Sequence, residues 1–502
     1  MRKNFSSTHF YLLYQPSYCK KRVWMNVNYQ HIAEDDSAFK ELLYRRGKAL
    51  EEKHLKDLGR YQKPEFLSGD FAKGFSETIK LTNNKVEVIY QPVLWDAENG
   101  FLAIPDFLIF DQYKERYKIR DAKLAVDLQN HPEISLQLGL YRMLFYNLVG
   151  YVPPIEVLKG DGQIVDFEPA TAEAVTQIKD LILSIRELKE EPSEPVGWSK
   201  CSQCVFFSFC WEKAKKINDI ATVPYLDQGA WRELTEKGVL NYDYLNEFSE
   251  ELLAELKRPW GGRKQKIGST TARKIKRQVA SLVSGEMIIK NVPKLPHSYI
   301  PGQRPIVILD IENDVFDLEL GVKVYLWGML SVSYEGLQEP KSIIANSGVE
   351  GDRQGWFDFL GHASYLFNTL GEVPFIHYSN HERTWIGKYI ERHGDLAGVG
   401  QKILDNLWDM YACISNSFFL PVHSYGLKNI EKCIGFKRSQ EEYGGLWSIV
   451  CYDAYINAKT NEEAQGVLTK ILTYNSEDLL ATWEIYTWLE KKHIAIMNNC
   501  PI

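Results

Sequence analysis

A chain of 502 residues with 45% hydrophobic and 25% charged residues has the balance of a soluble globular protein and room for about two to four domains. The net charge of −7 gives no overall pull toward a polyanion, and eight unevenly spread cysteines exclude a disulfide framework. No apolar run reaches the roughly 18 residues that a membrane span needs, and Phe10–Tyr14 is too short and aromatic for a secretory leader, so a cytoplasmic protein without a membrane partner is expected.

Residues 1–215 alternate strand-like and helix-like patterns. Val86–Tyr90, Phe107–Phe110 and Tyr117–Asp121 read as strands, and Ser135–Tyr151 reads as a helix with apolar residues at three- and four-residue steps. On a strand, residues two apart face one side, so Asp121 and Lys123 point together and Asp106 can meet them. Two carboxylates suit Mg2+ or Mn2+, and the lysine suits charge developing on a phosphoryl group. Gln137 and Tyr141 share a helix face, and Glu51 and His54 on an earlier helix offer a further ligand. Cys19 and the C-x2-C-x5-C set Cys201, Cys204 and Cys210 could join two distant segments through iron–sulfur or zinc. Cys413, Cys433, Cys451 and Cys500 show no ligand spacing.

Residues 216–295 carry few strand signals. Short helices are expected at Gly229–Gly238 and from Gly268 onward, in a helix-hairpin-helix-like module. Between Lys257 and Arg277 there are basic residues and no acidic one; Arg263, Lys264, Lys266, Arg273, Lys274, Lys276 and Arg277 are candidates for phosphate contacts. Pro293–Arg304 reads as a linker. Beyond it, Ile306–Asp310 is a buried strand, Val324–Leu330 is strand-like, and Tyr474–Lys491 is helical. Asp310 and Glu312 face one side of their strand, Tyr474 and Asp478 one face of their helix, and Glu382 and Asp409 lie between. Carboxylates gathered in one place repel unless cations separate them, which points to divalent metal.

Asp106, Asp121-x-Lys123 and Gln137-x3-Tyr141, with the four cysteines, resemble the PD-(D/E)xK nucleases of the RecB family, in the iron–sulfur branch that includes CRISPR-associated RecB-like exonucleases. The likeness covers roughly residues 10–215. It implies a [4Fe-4S] cluster on Cys19, Cys201, Cys204 and Cys210, with Zn2+ as the alternative, and Mg2+ or Mn2+ on Asp106 and Asp121. Glu51 stands where that family often has a histidine ligand. Asp310, Glu312, Tyr474 and Asp478 resemble the DEDD exonucleases of the ribonuclease H-like superfamily. The YprB type is the nearer likeness, with Ser424-Tyr425-Gly426-Leu427-Lys428 and Tyr474-Asn475-x2-Asp478 as counterparts. The mapping puts Asp310 and Glu312 in the first motif, Glu382 in the second, where aspartate is usual, and Asp478 in the third; Asp409 is the runner-up for the second.

The fold class this implies is α/β multidomain. It comprises a restriction-endonuclease-like α/β core with an Fe-S cluster (1–215), a small helical nucleic-acid-binding module (216–295) and a ribonuclease H-like α/β domain (303–495). The implied function is metal-dependent hydrolysis of DNA, single-stranded or with ends, by an exonuclease with two active sites in repair, recombination or defence. A repair factor with degenerate nuclease folds and an RNA-processing exonuclease are the alternatives. No Gly-Lys-Ser/Thr phosphate loop is present, so unwinding requires a helicase or repair partner.

Overall fold

A computed structural model describes residues 4–6, 9–10, 18–33, 37–129, 131–197, 201, 204–260, 263–296, 305–317, 321–333, 335–440 and 444–498. Most of Phe10–Tyr14, the linker from residue 297 on, and Cys500 lie outside them. The chain divides into two compact units. One comprises Met1–Glu194, Lys200–Phe209 and Phe316–Gly321; the other comprises Pro195–Ser199, Cys210–Val315 and Val322–Ile502. No helix among the described residues is long and apolar enough to cross a membrane.

The first unit holds helices α1 (Lys20–Asn28), α2 (Ser37–Leu58) and α3 (Phe71–Asn83), then strands β1 (Val88–Tyr90), β2 (Phe107–Asp111) and β3 (Arg116–Lys123). Helix α4 (Pro132–Val149), strands β4 (Ile155–Lys159) and β5 (Ile164–Asp166), and helix α5 (Ala172–Arg186) follow. The five strands form one sheet in chain order, in which β3 and β4 alone are parallel. That parallel pair needs a crossover, which α4 supplies. Period-two alternation on β3 buries Tyr117, Ile119 and Asp121, so the core face runs directly into a carboxylate. Phe145 of α4 packs edge-on against Tyr117, and Gln137 and Tyr141 lie eight and four residues before it, along the same side of the helix.

The second unit includes the short helices α6 (Gln228–Glu236), α7 (Tyr242–Glu247) and α8 (Glu250–Glu255). Asp227, Asn241 and Ser249 cap them by accepting the backbone N–H groups of Ala230, Tyr244 and Leu252. An antiparallel hairpin then pairs β6 (Lys257–Trp260) with β7 (Arg263–Lys266), before α9 (Ser269–Ser284). This hairpin corrects the sparse strand reading of the region. Charged side chains hide the alternation there, but main-chain pairing and the half-buried Arg258–Asp227 ion pair at 2.5 Å hold the ribbon. Trp231, Leu234, Leu253, Ile275 and Val279 form the small core that these elements share.

The remainder is a six-stranded sheet. Its strands are β8 (Ile306–Asp317), β9 (Gly321–Ser333), β10 (Gly336–Leu337), β11 (Lys341–Ile344), β12 (Phe375–His377) and β13 (Leu407–Asp409). The order is β10-β9-β8-β12-β13, with β11 also on β9, and β8, β12 and β13 are parallel. Helices α10 (Gly348–Leu370), α11 (His381–His393) and α12 (Val399–Asp405) contribute to a core with Val307, Leu309 and Trp327. Helices α13 (Met410–Ser417), α14 (Leu427–Ile434), α15 (Gly445–Ile456) and the long α16 (Asn461–Met497) follow. Ile306 and Ile308 pack with Leu479 and Ile485 of α16 in a second core. By alternation, Asp310 and Glu312 belong to this second face of β8.

Lys276 is placed to do structural work. Its ammonium donates to the carbonyls of Leu245 (3.0 Å), Asn246 (2.5 Å) and Phe248 (2.7 Å), at the C-terminal end of α7. A cation there satisfies orphan carbonyls and complements the helix dipole. Lys276→Ala is expected to destabilise the protein by about 1–2 kcal/mol in chemical denaturation. Exposed Arg277→Ala is the control, with a change within about 0.5 kcal/mol.

Candidate functional site

Among the described residues, Asp310, Glu312 and Asp478 are the one set of His, Cys, Asp or Glu side chains whose ligand atoms all lie within 4.8 Å of one another. Two come from one face of β8 and the third from α16. The Asp310 carboxylate accepts the Asn475 side-chain amide at 2.7 Å, and Ser342 Oγ donates to Asn475 Oδ1 at 2.7 Å. Asn475 can lie across β9 only because residue 328 is glycine: a Cβ there would come within 2.2 Å of Asn475 Oδ1. Asp478 Oδ1 accepts from both Lys428 and Arg438. Arg438 is fixed in turn by Glu431, through contacts of 2.8 and 2.7 Å.

The charges are strongly coupled. Burial, then Asp478, Glu312 and Glu382, hold the Asp310 carboxyl well above its ordinary range. Glu312 is pushed up to about 8, by burial first and Asp478 next. The Tyr474 hydroxyl lies beside Glu312 and Asp478, and burial with the three surrounding carboxylates raises its pKa. It therefore stays a neutral phenol, a donor rather than a base. Oxygen-only donors in mutual repulsion fit a hard divalent cation such as Mg2+ or Mn2+, and Asp310, Glu312 and Asp478 would hold it.

Glu382 stands outside this trio. Its buried carboxylate meets His377 Nδ1 at 3.2 Å, at the carboxyl end of β12. Asp409 is engaged as a cap: it accepts from Ala412 N at 3.0 Å, opening α13, and from Ser379 N at 3.3 Å. Ser379 itself sits at a left-handed φ of 77° between His377 and His381.

In the first unit, the hairpin register that pairs Phe107 with Arg120 puts Asp106 opposite Asp121 at its next step. Their contacts interlock, with Asp106 N donating to Asp121 Oδ1 at 3.3 Å and Ala122 N donating to Asp106 Oδ2 at 2.6 Å. Lys123 forms an ion pair with Asp121. Burial, Asp121 and Glu51 drive the Asp106 carboxyl well above its usual pKa. Burial opposes the charge on Lys123, but Asp121, Tyr141 and Asp106 outweigh it and raise its pKa. Glu51 accepts from Tyr90 at 2.7 Å and is raised by burial, with Asp121 adding to it. Gln137 donates to the Tyr141 hydroxyl at 2.8 Å. His54 is directed elsewhere, with Nε2 2.8 Å from Arg120 Nη1, so Glu51 is the ligand candidate of α2.

Cys19 is the N-cap residue of α1, Cys204 N donates to Cys201 O at 2.8 Å, and Cys210 lies in the helix Phe207–Lys216. Helix α1 is fastened near the end of α5: Trp24 Nε1 donates to Leu188 O at 3.0 Å, and Lys21 meets Glu191 at 2.5 Å. Of the basic candidates, Arg263, Lys264, Lys266, Arg273, Lys274 and Arg277 are exposed. Three of them already face acids, Lys264 with Glu233, Lys266 with Glu255 and Arg273 with Glu250.

The sequence reading missed Lys428, Arg438 and Asn475 as site residues. Lys428 and Asn475 stand inside motifs it quoted, whereas Arg438 has no local signal.

Residues 307–490 match the family model described as RNase_H superfamily, which supports a ribonuclease H-like domain in this part of the chain. Asp310, Glu312, Glu382, Tyr474 and Asp478 all fall within it. Neither a curated protein nor a solved structure matches the chain.

A carboxyl raised in the folded state binds its proton more tightly there than in the unfolded chain. The metal-free protein therefore loses stability as pH rises from the ordinary value of 4.5 to about 8 at Glu312. Thermal unfolding in chelator should show a midpoint that falls across this window, a smaller fall in Glu312→Gln, and recovery with Mn2+. Gly328→Ala should cost about 1–3 kcal/mol and weaken Mn2+ binding in calorimetry, because it dislodges Asn475 from Asp310.

Proposed function

We propose that the chain is a metal-dependent nuclease that hydrolyses phosphodiester bonds of DNA, as an exonuclease with one active site in each unit, in repair, recombination or defence. The observation that carries this reading is the convergence of Asp310, Glu312 and Asp478 within a ribonuclease H-like stretch. Bound Mg2+ or Mn2+ would supply a nucleophile at neutral pH and charge stabilisation on the phosphoryl oxygens. Asp310, Glu312 and Asp478 would hold that charge, and Asn475 hydrogen-bonds to Asp310. Tyr474, neutral and buried beside Glu312 and Asp478, offers its proton as a hydrogen bond that orients water. Lys428 lies 4.7 Å from the Tyr474 ring centre, where it can meet a phosphate oxygen. In the first unit, Asp106, Asp121 and Glu51 are the proposed ligands of a PD-(D/E)xK site, Lys123 the charge stabiliser, and Gln137 and Tyr141 the phosphate contacts. Cys19, Cys201, Cys204 and Cys210 are proposed to carry [4Fe-4S], or Zn2+ in its place, and a brown anaerobic preparation separates the two. A helicase or repair partner would supply unwinding.

A second reading, a nucleic-acid-binding repair factor with silent nuclease folds, draws support from Asp478 being paired with two cations, Lys428 and Arg438. The test is hydrolysis of single-stranded DNA, duplex DNA and RNA with Mg2+ or Mn2+ by the full chain, Asp310→Ala, Lys123→Ala and the double variant. Each single variant should lose the activity of its own unit, and the double variant should fall by about 100-fold or more, as chelator does. Unchanged rates in the double variant would overturn the assignments, and faster cleavage of RNA would replace DNA as the substrate.

A further inference from the structure

One cluster in the second unit borders the core, outside the carboxylate trio: tyrosines with cations at their faces, of which Tyr425 belongs to the core, Tyr225 and Tyr378 are partly buried against it, and Tyr411 is exposed. Tyr225 has a left-handed φ of 72°, a conformation bulky side chains adopt only when the surroundings impose it. What that backbone achieves is a ring held between two lysines. Lys274 Nζ lies 5.8 Å and Lys290 Nζ 5.4 Å from its centre. The ring also leans on Tyr425, with centroids 6.0 Å apart. Lys290 is half-buried, sits 3.6 Å from the Phe419 ring centre, and donates to Ser415 O at 2.7 Å. Burial, with Lys274 adding, lowers its pKa to about 8.

The cluster continues toward the carboxylates. Tyr411 is 38% exposed and meets Tyr378 edge-on, at a centroid distance of 6.2 Å. It lies close enough to act electrostatically on the hydroxyls of Tyr225, Tyr378 and Tyr425. The β8–β12 register pairs Val307 with Phe375 and Ile308 with Ile376, and its continuation sets Tyr378 level with Asp310. The Tyr378 hydroxyl donates to the carbonyl of Tyr425, three residues before Lys428, which reaches Asp478. Arg273 and Arg277, exposed like Lys274, stand near it on α9.

Flat aromatic faces bordered by cations are what a single strand requires. Bases stack on rings whatever their identity, and phosphates follow the positive charge. A duplex keeps its bases stacked on one another and cannot use the rings. We propose that Tyr225, Tyr378 and Tyr411, with Lys274 and Lys290 beside them, form a stacking platform that feeds single-stranded DNA to Asp310. The platform rests on the nuclease reading for its choice of substrate, but binding to it is independent of hydrolysis.

The test is fluorescence anisotropy of a labelled single-stranded oligothymidylate with the full chain carrying Asp310→Asn, in chelator and at two salt concentrations. Tyr411→Ala should weaken binding by about tenfold or more, while Tyr411→Phe, which keeps the ring, should bind within about twofold of the parent. Lys274→Glu should weaken binding and lower the salt slope by about one contact. Undiminished binding by Tyr411→Ala and Lys274→Glu would overturn the platform, as would tighter binding of duplex DNA or of RNA. Hydrolysis by the unsubstituted chain with Mn2+ is scored separately, so a failed platform and a failed nuclease assignment give different results.

Discussion

Repulsion among carboxylates that are half-buried (Asp310, Glu312) or buried (Asp478) is the constraint around which the second unit is built. Asp310, Glu312 and Asp478 have ligand atoms within 4.8 Å of one another, and desolvation denies them the water that would otherwise screen their charges. Such an arrangement persists only if something answers each charge. Asn475 answers Asp310 with a hydrogen bond, Lys428 and Arg438 answer Asp478 with positive charge, and Glu312 answers itself by holding its proton to about pH 8. Each answer has a structural requirement of its own. Asn475 requires the bare backbone of Gly328, and Arg438 requires the buried Glu431 as its anchor.

The first unit meets the same difficulty with fewer parts. Its two aspartates face each other across one hairpin, and each takes a backbone N–H from the opposite strand. The compensating cation, Lys123, stands on the same strand as Asp121. Charge balance there is largely local to β2 and β3, with Glu51 of α2 added at the margin. In the second unit the balance is assembled from β8, α14, the segment after it, and α16. A local solution survives small shifts of helices, whereas an assembled one senses them.

That difference also explains what could be read in the sequence. Periodicity brings out Asp121 with Lys123 and Asp310 with Glu312, because a strand repeats every two residues, and it brings out Tyr474 with Asp478, because a helix turn returns after four. The fifteen-residue step from Asp106 to Asp121 is the length of a hairpin whose strands pair Phe107 with Arg120. Arg438 leaves no such trace, since its partners Glu431 and Asp478 are chosen by tertiary packing. The β6–β7 hairpin was masked by its charge, as Lys257, Arg258, Arg263, Lys264 and Lys266 give no apolar alternation. Charge counting along the stretch does not show its partners: Lys276 closes α7, and Glu233, Glu250 and Glu255 pair with Lys264, Arg273 and Lys266.

The segment from Phe418 to Lys428 shows why the helical elements cannot be treated as an appendage of the sheet. Phe418 and Phe419 pair with Ile288 and Ile289, which follow α9. Gln278, wholly buried on α9, donates to Leu420 O at 2.7 Å and accepts from the Tyr425 hydroxyl at 2.8 Å. The next residues, Gly426 and Leu427, open α14, from whose first turn Lys428 reaches Asp478. A buried amide that satisfies two partners tolerates little displacement, because either bond left unmade strands a polar group in the core. The position of Lys428 is therefore tied through Tyr425 and Gln278 to the helix that carries Arg273, Lys274 and Arg277.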